Sequence, residues 1–189
     1  MAFIVNGDSD ESAADLMIIL GSPASGKTTL AERLSRDLGL PVLCKDDVKE
    51  ALFDVLGCPD RERSRRLSEA SFHALARIAR TQLTLGRSCI VEGNWRAVHV
   101  PLLAALTGEA RARAAQIWCC ADPGEIVRRF TSRHRHLGHL DRLMPATELS
   151  AAAQLAPAFL ELTGPRWVYR SDSDPGYPAL MEQIKSWRL

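Results

Sequence analysis

The 189-residue sequence has few aromatic residues, no long hydrophobic run and almost no net charge. Phe, Trp and Tyr together make up 6% of it, and its formal net charge is +1 at pH 7. Because a protein that coats nucleic acid needs a strongly basic surface, the near-neutral balance argues against that class. No apolar run approaches the roughly 20 residues of a membrane-spanning helix, so we expect no membrane partner.

The five cysteines show none of the spacings that are typical of a metal site. No two of them form a C-x-x-C pair, and no histidine stands at a zinc-ligand spacing from them. Most lie within short apolar runs, which favours small core residues in a reducing, cytoplasmic protein. The cysteines are Cys44, Cys58, Cys89, Cys119 and Cys120.

The first 15 residues differ in character from the rest of the chain. They are acidic and lack a basic start followed by an apolar core, so they do not resemble a signal peptide. We expect residues 1–15 to form a flexible lead-in and residues 16–189 to form one domain. A chain of this length buries about 70% of its unfolded surface in a single core.

One stretch near the N-terminus carries a specific motif. Residues 16–20 are an apolar run of strand length, and residues 21–28, Gly-Ser-Pro-Ala-Ser-Gly-Lys-Thr, match G-x-x-x-x-G-K-[ST] at every position. Apolar residues then recur at helical spacing, at Leu30, Leu34 and Leu38. Strand, glycine loop and helix are the setting of a phosphate-binding P-loop.

The residue types in this loop suit a nucleoside triphosphate and Mg²⁺. Glycines let the backbone wrap a phosphate chain, and the following helix adds free N–H donors and a positive dipole end. Lys27 can reach the β- and γ-phosphates, and the Thr28 hydroxyl can ligate Mg²⁺. The predicted nucleotide-binding residues are Gly21, Ser22, Pro23, Ala24, Ser25, Gly26, Lys27, Thr28 and Thr29.

Apolar strand-like runs and helical patterns alternate along the whole chain. Such alternation predicts an α/β domain with a parallel sheet that is covered by helices on both faces. The predicted strands span residues 16–20, 41–44, 88–92, 114–121 and 165–170. The predicted helices span residues 29–38, 46–56, 61–85, 95–106 with a break at Pro101, 123–135 with Asp122 as N-cap, 147–162 and 177–187.

Two aspartates follow the second predicted strand, at the sheet edge where parallel sheets bind ligands. Asp46 and Asp47 can act as first-turn acids that stabilise the next helix. Alternatively, one of them accepts the proton of an acceptor hydroxyl during phosphoryl transfer. Asp47 and Lys49, one turn further on, are then candidates for binding the substrate, although Lys49 also suits a solvated helix surface.

The third predicted strand ends in a carboxylate, Glu92. A carboxylate beside a P-loop can position Mg²⁺ through water, so Glu92 joins Thr28 as a candidate metal residue. Asn94 and Arg96 follow directly. They are candidates for substrate binding, or they shape the turn.

A dense run of basic residues, 128–142, follows the fourth predicted strand. A solvated basic face is one interpretation. Its place after a strand of a P-loop sheet instead predicts a lid over the phosphates, at about residues 124–145, with Gly138 as a hinge. Arg129 and Arg133, at i and i+4 of one helix face, would reach the transferring phosphoryl group. His134, His136 and His139 would contact phosphate or substrate.

Several of these motifs together resemble one group of enzymes. GSPASGKTT, KDDVK, the strand ending in EGN and the run EIVRRFTSRHR resemble the P-loop kinases related to polynucleotide 5′-kinase, zeta toxin and chloramphenicol phosphotransferase. The resemblance implies an AAA-type ATP-binding domain, a sheet in the order 2-3-1-4-5 and phosphoryl transfer from ATP. It also implies that Asp46 is the general base and that Lys49 stands where the family has Arg. It puts the lid pattern on Arg128, Arg129 and Arg133, and adenine beside residues 171–177.

We therefore expect an ATP- and Mg²⁺-dependent kinase that phosphorylates a hydroxyl of a small molecule. Two alternatives stay open at this stage. A polynucleotide 5′-hydroxyl kinase would need an aromatic stacking platform, for which Trp95 and Trp167 are the candidates. A non-catalytic, ATP-binding regulatory protein would bind nucleotide without an acceptor, and the pair Asp46–Asp47 argues against it.

Overall fold

The computed structural model describes residues 13–134, 136–139, 145–173 and 176–188. A five-stranded parallel sheet runs in the order β2-β3-β1-β4-β5, which confirms the predicted α/β P-loop fold and its strand order. Of the predicted lead-in, residues 1–12 lie outside the described residues. The strands are β1 (Asp15–Leu20), β2 (Val42–Cys44), β3 (Cys89–Glu92), β4 (Arg113–Cys120) and β5 (Arg166–Arg170).

Helices cover both faces of this sheet. In the parts of the chain that the structure describes, no helix is long and apolar enough to cross a membrane. The helices are α1 (Lys27–Leu38), α2 (Lys45–Leu56), α3 (Arg61–Thr84), α4 (Val100–Ala110), α5 (Pro123–Ser132), α6 (Ala146–Ala153) and α7 (Gly176–Arg188), with a 3₁₀ turn at Ala97–His99.

Strand β1 lies at the centre of the sheet, and all of its residues are buried. Its side chains alternate between two cores. Leu16, Ile18 and Leu20 pack in the core beneath α3 and α4, and Met17 and Ile19 pack in the core beneath α1 and α7. A strand that is covered on both faces must be apolar at every position, which is why this run was easy to find in the sequence.

Three predicted helices have boundaries in the structure that differ by several residues. The predicted helix 95–106 begins at Val100 and ends at Ala110. The predicted helix 147–162 ends at Ala153, and the following residues up to Leu160 are not helical. Pro157 lacks the N–H that a continuing helix needs. Leu160 instead bonds to β4: its N–H donates to Gln116 Oε1 (2.7 Å), and Gln116 Nε2 donates to the Leu160 carbonyl (3.1 Å).

The break predicted at Pro101 was wrong. Pro101 lies in the first turn of α4, where its missing N–H costs no hydrogen bond. The N-cap at Asp122 is confirmed, because its carboxylate accepts from the Gly124 N–H (2.8 Å). Helix α5 ends at Ser132 rather than near residue 135, and Arg133 is extended (φ −77°, ψ 140°).

Three of the cysteines are core residues: Cys44, Cys89 and Cys119 are buried, and none of the three forms a disulfide bond. Burial raises the pKa of Cys89 and of Cys119 to about 12.

We predict that iodoacetamide at pH 8 modifies Cys58 first in the native protein and leaves Cys89 and Cys119 intact, as read by peptide mass spectrometry. Equal labelling of Cys58 and Cys89 would contradict this packing.

Candidate active site

The P-loop joins β1 to α1 in a tight turn that only glycine allows at two positions. Gly21 has φ +146°, and a Cβ there would lie 2.1 Å from the carbonyl oxygen of Cys119. Gly26 has φ +93°, and its Cβ would lie 2.9 Å from the Ser171 side chain. Both glycines are therefore needed for the loop to lie against β4 and the residue that follows β5.

Lys27, the first residue of α1, folds back over the loop. Its Nζ donates to the carbonyl oxygen of Ser22 (2.8 Å). Burial lowers the pKa of Lys27, and the nearby carboxylate of Glu92 acts in the opposite direction. An ammonium that has already lost water gains more from phosphate oxygens than a fully hydrated one does.

Thr28 and Glu92 meet beside this lysine. Thr28 Oγ1 donates to Glu92 Oε2 (3.2 Å), and the Cys44 thiol donates to the same oxygen (2.9 Å). Glu92 is 4% exposed, at the end of β3. No described residues form a cluster of three or more His, Cys, Asp or Glu side chains around a metal position. A hydroxyl and one carboxylate fit Mg²⁺, which is bound by few protein ligands together with phosphates and water.

A cavity of about 550 Å³ opens over the P-loop. It collects most of the predicted site residues, from four separate segments of the chain. The predicted site residues in its lining are Pro23, Ala24, Gly26, Lys27, Thr28, Thr29, Asp46, Lys49, Glu92, Asn94, Arg129 and Arg133.

The acceptor side of the cavity is formed by the first turns of α2. Asp46 is half-buried there, and Lys45 Nζ lies 2.5 Å from its Oδ1. Lys49 is buried, and its Nζ donates to Ser64 Oγ (2.9 Å). The ion pair orients the Asp46 carboxylate, which is able to accept a proton from a hydroxyl in the cavity.

Two predicted substrate residues do not line this cavity. Successive residues of a helix point about 100° apart, so Asp46 and Asp47 cannot both face the same site. Asp47 is exposed, and the cost of its partial burial raises its pKa. Arg96 lines a neighbouring cavity instead. Neither residue therefore lies in the lining of the phosphate cavity, and their role in binding the substrate stays a prediction.

The arginines after β4 reach the cavity by different routes. Arg129 lies on α5, and its Nη1 donates to Ser171 Oγ (2.8 Å) while its Nε donates to Glu125 (2.6 Å). Arg133 follows the end of α5, with its guanidinium 4.6 Å from the Phe130 ring centroid. The prediction that the two lie on one helix face was wrong, because α5 ends at Ser132. Both nevertheless line the cavity.

With this geometry established, comparison with known proteins shows the family. A family model described as an AAA domain matches residues 16–156. The chain belongs to this family. No curated protein matches it in sequence.

Solved structures share the fold of this AAA-domain protein. A protein from Chloroflexus aurantiacus, described as a "putative kinase", is 33% identical, with 93% of this chain and 99% of that chain covered and a TM-score of 0.83. Kti12 from Chaetomium thermophilum, in complex with ADP-AlF3, is 14% identical (92% and 99% covered, TM-score 0.64). The APS kinase CysC from Mycobacterium tuberculosis, in complex with AMPPNP and APS, is 19% identical (92% and 96% covered, TM-score 0.59). These similarities support a nucleotide-binding fold of the P-loop kinase type.

Two of the three histidines in the basic run, His136 and His139, pair with α2 in the AAA-domain protein. His136 Nε2 lies 3.1 Å from Asp54 Oδ1, and His139 Nε2 lies 2.8 Å from Glu50 Oε1. Gly138 packs so closely that a Cβ there would lie 2.8 Å from Phe53 Cγ. His136 and His139 thus each have a carboxylate partner on α2, and His139 also lines the cavity. Contact of the histidines with phosphate or substrate stays a prediction. Lid motion about Gly138 stays a prediction.

Several residues that line the cavity were not predicted from the sequence as site residues. Lys45, Ser68, Tyr169 and Arg33 also line the cavity. The Arg33 guanidinium lies 3.6 Å from the ring centroid of Tyr177. Lys45 was visible as the first residue of the KDDVK run, but nothing in the local pattern of α3 or β5 distinguishes Ser68 or Tyr169.

The contact between Thr28 and Glu92 predicts how Mg²⁺ affects nucleotide binding. We expect Glu92→Gln to raise the Mg²⁺ concentration for half-maximal binding of a fluorescent ATP analogue by about tenfold, because a neutral amide holds the hydrated cation less well. Glu109→Gln, at an exposed glutamate on α4 that pairs with Arg80, serves as the control and leaves the titration unchanged. Identical Mg²⁺ curves for both variants would remove Glu92 from the metal site.

Proposed function

We propose that this AAA-domain protein is an ATP-dependent kinase that transfers the γ-phosphoryl group to a hydroxyl of a small molecule. One observation carries the proposal: a single cavity joins the P-loop to the Asp46 carboxylate, with Arg129 and Arg133 on its border. A protein that only bound ATP would have no use for a carboxylate that is held beside the phosphates on the acceptor side.

The P-loop and α1 would bind the triphosphate through backbone N–H groups and Lys27. Thr28 and Glu92 would hold Mg²⁺, which supplies positive charge at the phosphate oxygens. ADP-AlF3 in the Kti12 structure and AMPPNP in the APS kinase structure support nucleotide binding by this fold.

Transfer itself needs a base and positive charge. Asp46 accepts the proton of the acceptor hydroxyl as the new P–O bond forms and the bond from the γ-phosphorus to the bridging oxygen of ADP breaks. Arg129 and Arg133 stabilise the charge on the oxygens of the group in transfer. Lys49 and Asn94, which line the same cavity, bind polar groups of the acceptor.

The experiment is a transfer screen with γ-labelled ATP against hydroxyl acceptors of several classes: sugars, nucleosides, aryl alcohols and 5′-hydroxyl oligonucleotides. Label in a stable phosphate ester of one small-molecule class is the expected result. Label on oligonucleotides alone would replace the proposal by a polynucleotide kinase. ATP binding with no label on any acceptor would favour a regulatory protein.

Oligonucleotides are the less favoured acceptors because the predicted aromatic platform is not free to stack bases. Trp95 is 5% exposed, and Trp167 packs against Trp187 with ring centroids 5.9 Å apart. Trp95 therefore offers almost no ring surface for a base to stack on, and the edge-on contact with Trp187 covers part of Trp167. The prediction of a stacking platform at Trp95 was wrong.

The adjacent aspartates on α2 provide a matched pair of variants that tests whether Asp46 is the general base. We expect Asp46→Asn to lower kcat for the acceptor found in the screen by about 10², because an amide cannot take the proton. Asp47→Asn removes the same charge from the same helix turn, and turnover stays within about twofold because Asp47 lies outside the cavity. Equal losses in both variants would exclude Asp46 as the base.

A further inference from the structure

A buried lysine stands at the start of α2, where neither the helix dipole nor burial favours a cation. Lys45 is the first residue of this helix and is 5% exposed. The positive end of the helix dipole disfavours a cation in the first turn. Taking an ammonium out of water can also cost more free energy than one ion pair returns. A residue that is placed against both effects indicates a role other than stability.

The side chain of Lys45 is held by contacts from α2, α3 and the residue after β3. Its Nζ lies 2.5 Å from Asp46 Oδ1 and 5.8 Å from the ring centroid of Phe72. A Cβ added at Gly93 would lie 3.1 Å from Lys45 Cβ and 3.3 Å from Phe72 Cε1. The glycine at this position therefore leaves the space in which the lysine stem packs, and the ammonium is directed to Asp46.

Lys45 and Asp46 both line the cavity over the P-loop. The Asp46 side chain is 31% exposed, so its carboxylate is open to the cavity while the ammonium beside it is almost fully covered. A cation in contact with a carboxylate favours the ionised form of that carboxylate. The pair therefore presents a fixed and ionised acid to the cavity.

Other charges act on Asp46 as well, but they are common to the wild-type protein and to any variant at position 45. The like-charged neighbour on α2, outside the lining, is Asp47. The other charged or titratable residues of the lining are Lys27, Arg33, Lys49, Glu92, Arg129, Arg133, His139 and Tyr169.

We propose that Lys45 is the positioning residue of the general base, an inference that rests on the kinase function proposed above. Its ammonium keeps the Asp46 carboxylate ionised and in one orientation. As the acceptor oxygen bonds to the γ-phosphorus and the bond to the bridging oxygen of ADP breaks, the hydroxyl proton passes to Asp46, and Lys45 keeps its own protons. The chain thus carries a cation at an unfavourable place for the sake of the transfer step.

Lys45→Met separates this role from a structural one. Methionine fills a similar volume without charge, and Asp46 stays open to the cavity at a helix start that favours an acid. We expect kcat for the acceptor from the screen to fall by about 30-fold, while Tm does not fall below the wild-type value. A fluorescent ATP analogue should bind within about twofold of the wild-type affinity. Lys185→Met, at an exposed lysine of α7, is the control and should leave kcat and Tm unchanged.

The pH dependence of the rate gives a second readout. Without the adjacent ammonium, the Asp46 carboxylate takes up a proton at higher pH, so the acid limb of kcat against pH should move up by about one pH unit in Lys45→Met. Lys45→Arg keeps the charge and should keep the acid limb in place, with part of kcat recovered. Lys45→Met with a lowered Tm and an unmoved acid limb would make the lysine structural and overturn the proposal, as would wild-type kcat in this variant.

A measurement without catalysis tests the ion pair itself. Full-length protein that is labelled with [ε-¹³C]lysine gives signals from Lys27, Lys45, Lys49 and Lys185. Asp46→Asn should shift the Lys45 signal much more than Asp47→Asn does, because only Asp46 contacts the ammonium.

The two failures are distinguishable. Label transfer from ATP together with a Lys45 signal that does not respond to Asp46→Asn would keep the kinase and contradict the positioning role. A responding Lys45 signal with no label on any acceptor would keep the ion pair but contradict the kinase, and with it the role of Lys45 in transfer.

Discussion

Lys27→Ala should reduce kcat/KM for phosphoryl transfer by about 10⁴, the largest loss that we expect from a single substitution. The Lys27 ammonium is already desolvated and held over the P-loop by the Ser22 carbonyl. Its removal takes a full positive charge from a site of low dielectric, where charge on the phosphoryl oxygens is most strongly stabilised. Steady-state kinetics with the acceptor from the screen measures the loss.

The same variant should remain folded. Burial of the Lys27 ammonium opposes folding, as the lowered pKa shows, so its removal costs little stability. We expect the Tm of Lys27→Ala to stay within about 3 °C of the wild-type value. Wild-type turnover in this folded variant would contradict the assignment of the nucleotide site.

Arg133→Ala should lower kcat by about 10³ because its guanidinium lies at the cavity where the phosphoryl group passes. Arg128 provides the matched control. It lies in the same basic run, but its side chain is 69% exposed and pairs with Glu125 (2.7 Å), outside the cavity lining. Arg128→Ala should change kcat by less than about twofold, as exposed ion pairs contribute little.

The comparison of these two arginine variants also tests the alternative interpretation of the basic run. If the run were only a solvated surface, Arg133→Ala and Arg128→Ala would have equally small effects. Equal and large effects would instead indicate that the charge of the whole segment matters. Pre-steady-state measurement of the transfer step separates both cases from a change in product release.

The parts of the fold that the sequence predicts are those with strong local signals. The P-loop is specified by eight consecutive positions, and the fully buried β1 must be apolar throughout. Asp46 and Glu92 could be predicted because Glu92 ends β3 and Asp46 lies two residues after β2, and the ends of parallel strands meet at one edge of the sheet. Those residues do line one cavity in the structure.

Long-range contacts account for what the sequence did not reveal. The segment predicted to continue the helix past Ala153 is bound to Gln116 of β4 through Leu160, and no local pattern encodes that pair. His136 was predicted to contact phosphate or substrate, and its carboxylate partner Asp54, which lies 82 positions earlier in the sequence on α2, was not foreseen. Trp95, which follows β3, and Trp118 of β4 line one cavity, so their juxtaposition depends on the assembled sheet.

The most direct test of the central claim is where the γ-phosphoryl group goes. Wild-type protein, Asp46→Asn and Asp47→Asn are incubated with γ-labelled ATP and the acceptor panel, and the label is divided between organic phosphate ester and inorganic phosphate. The account predicts ester formation by the wild-type protein and by Asp47→Asn, with ester formation about 10² slower in Asp46→Asn. Label that appears only as inorganic phosphate with every acceptor, or equal ester formation by Asp46→Asn, would contradict it.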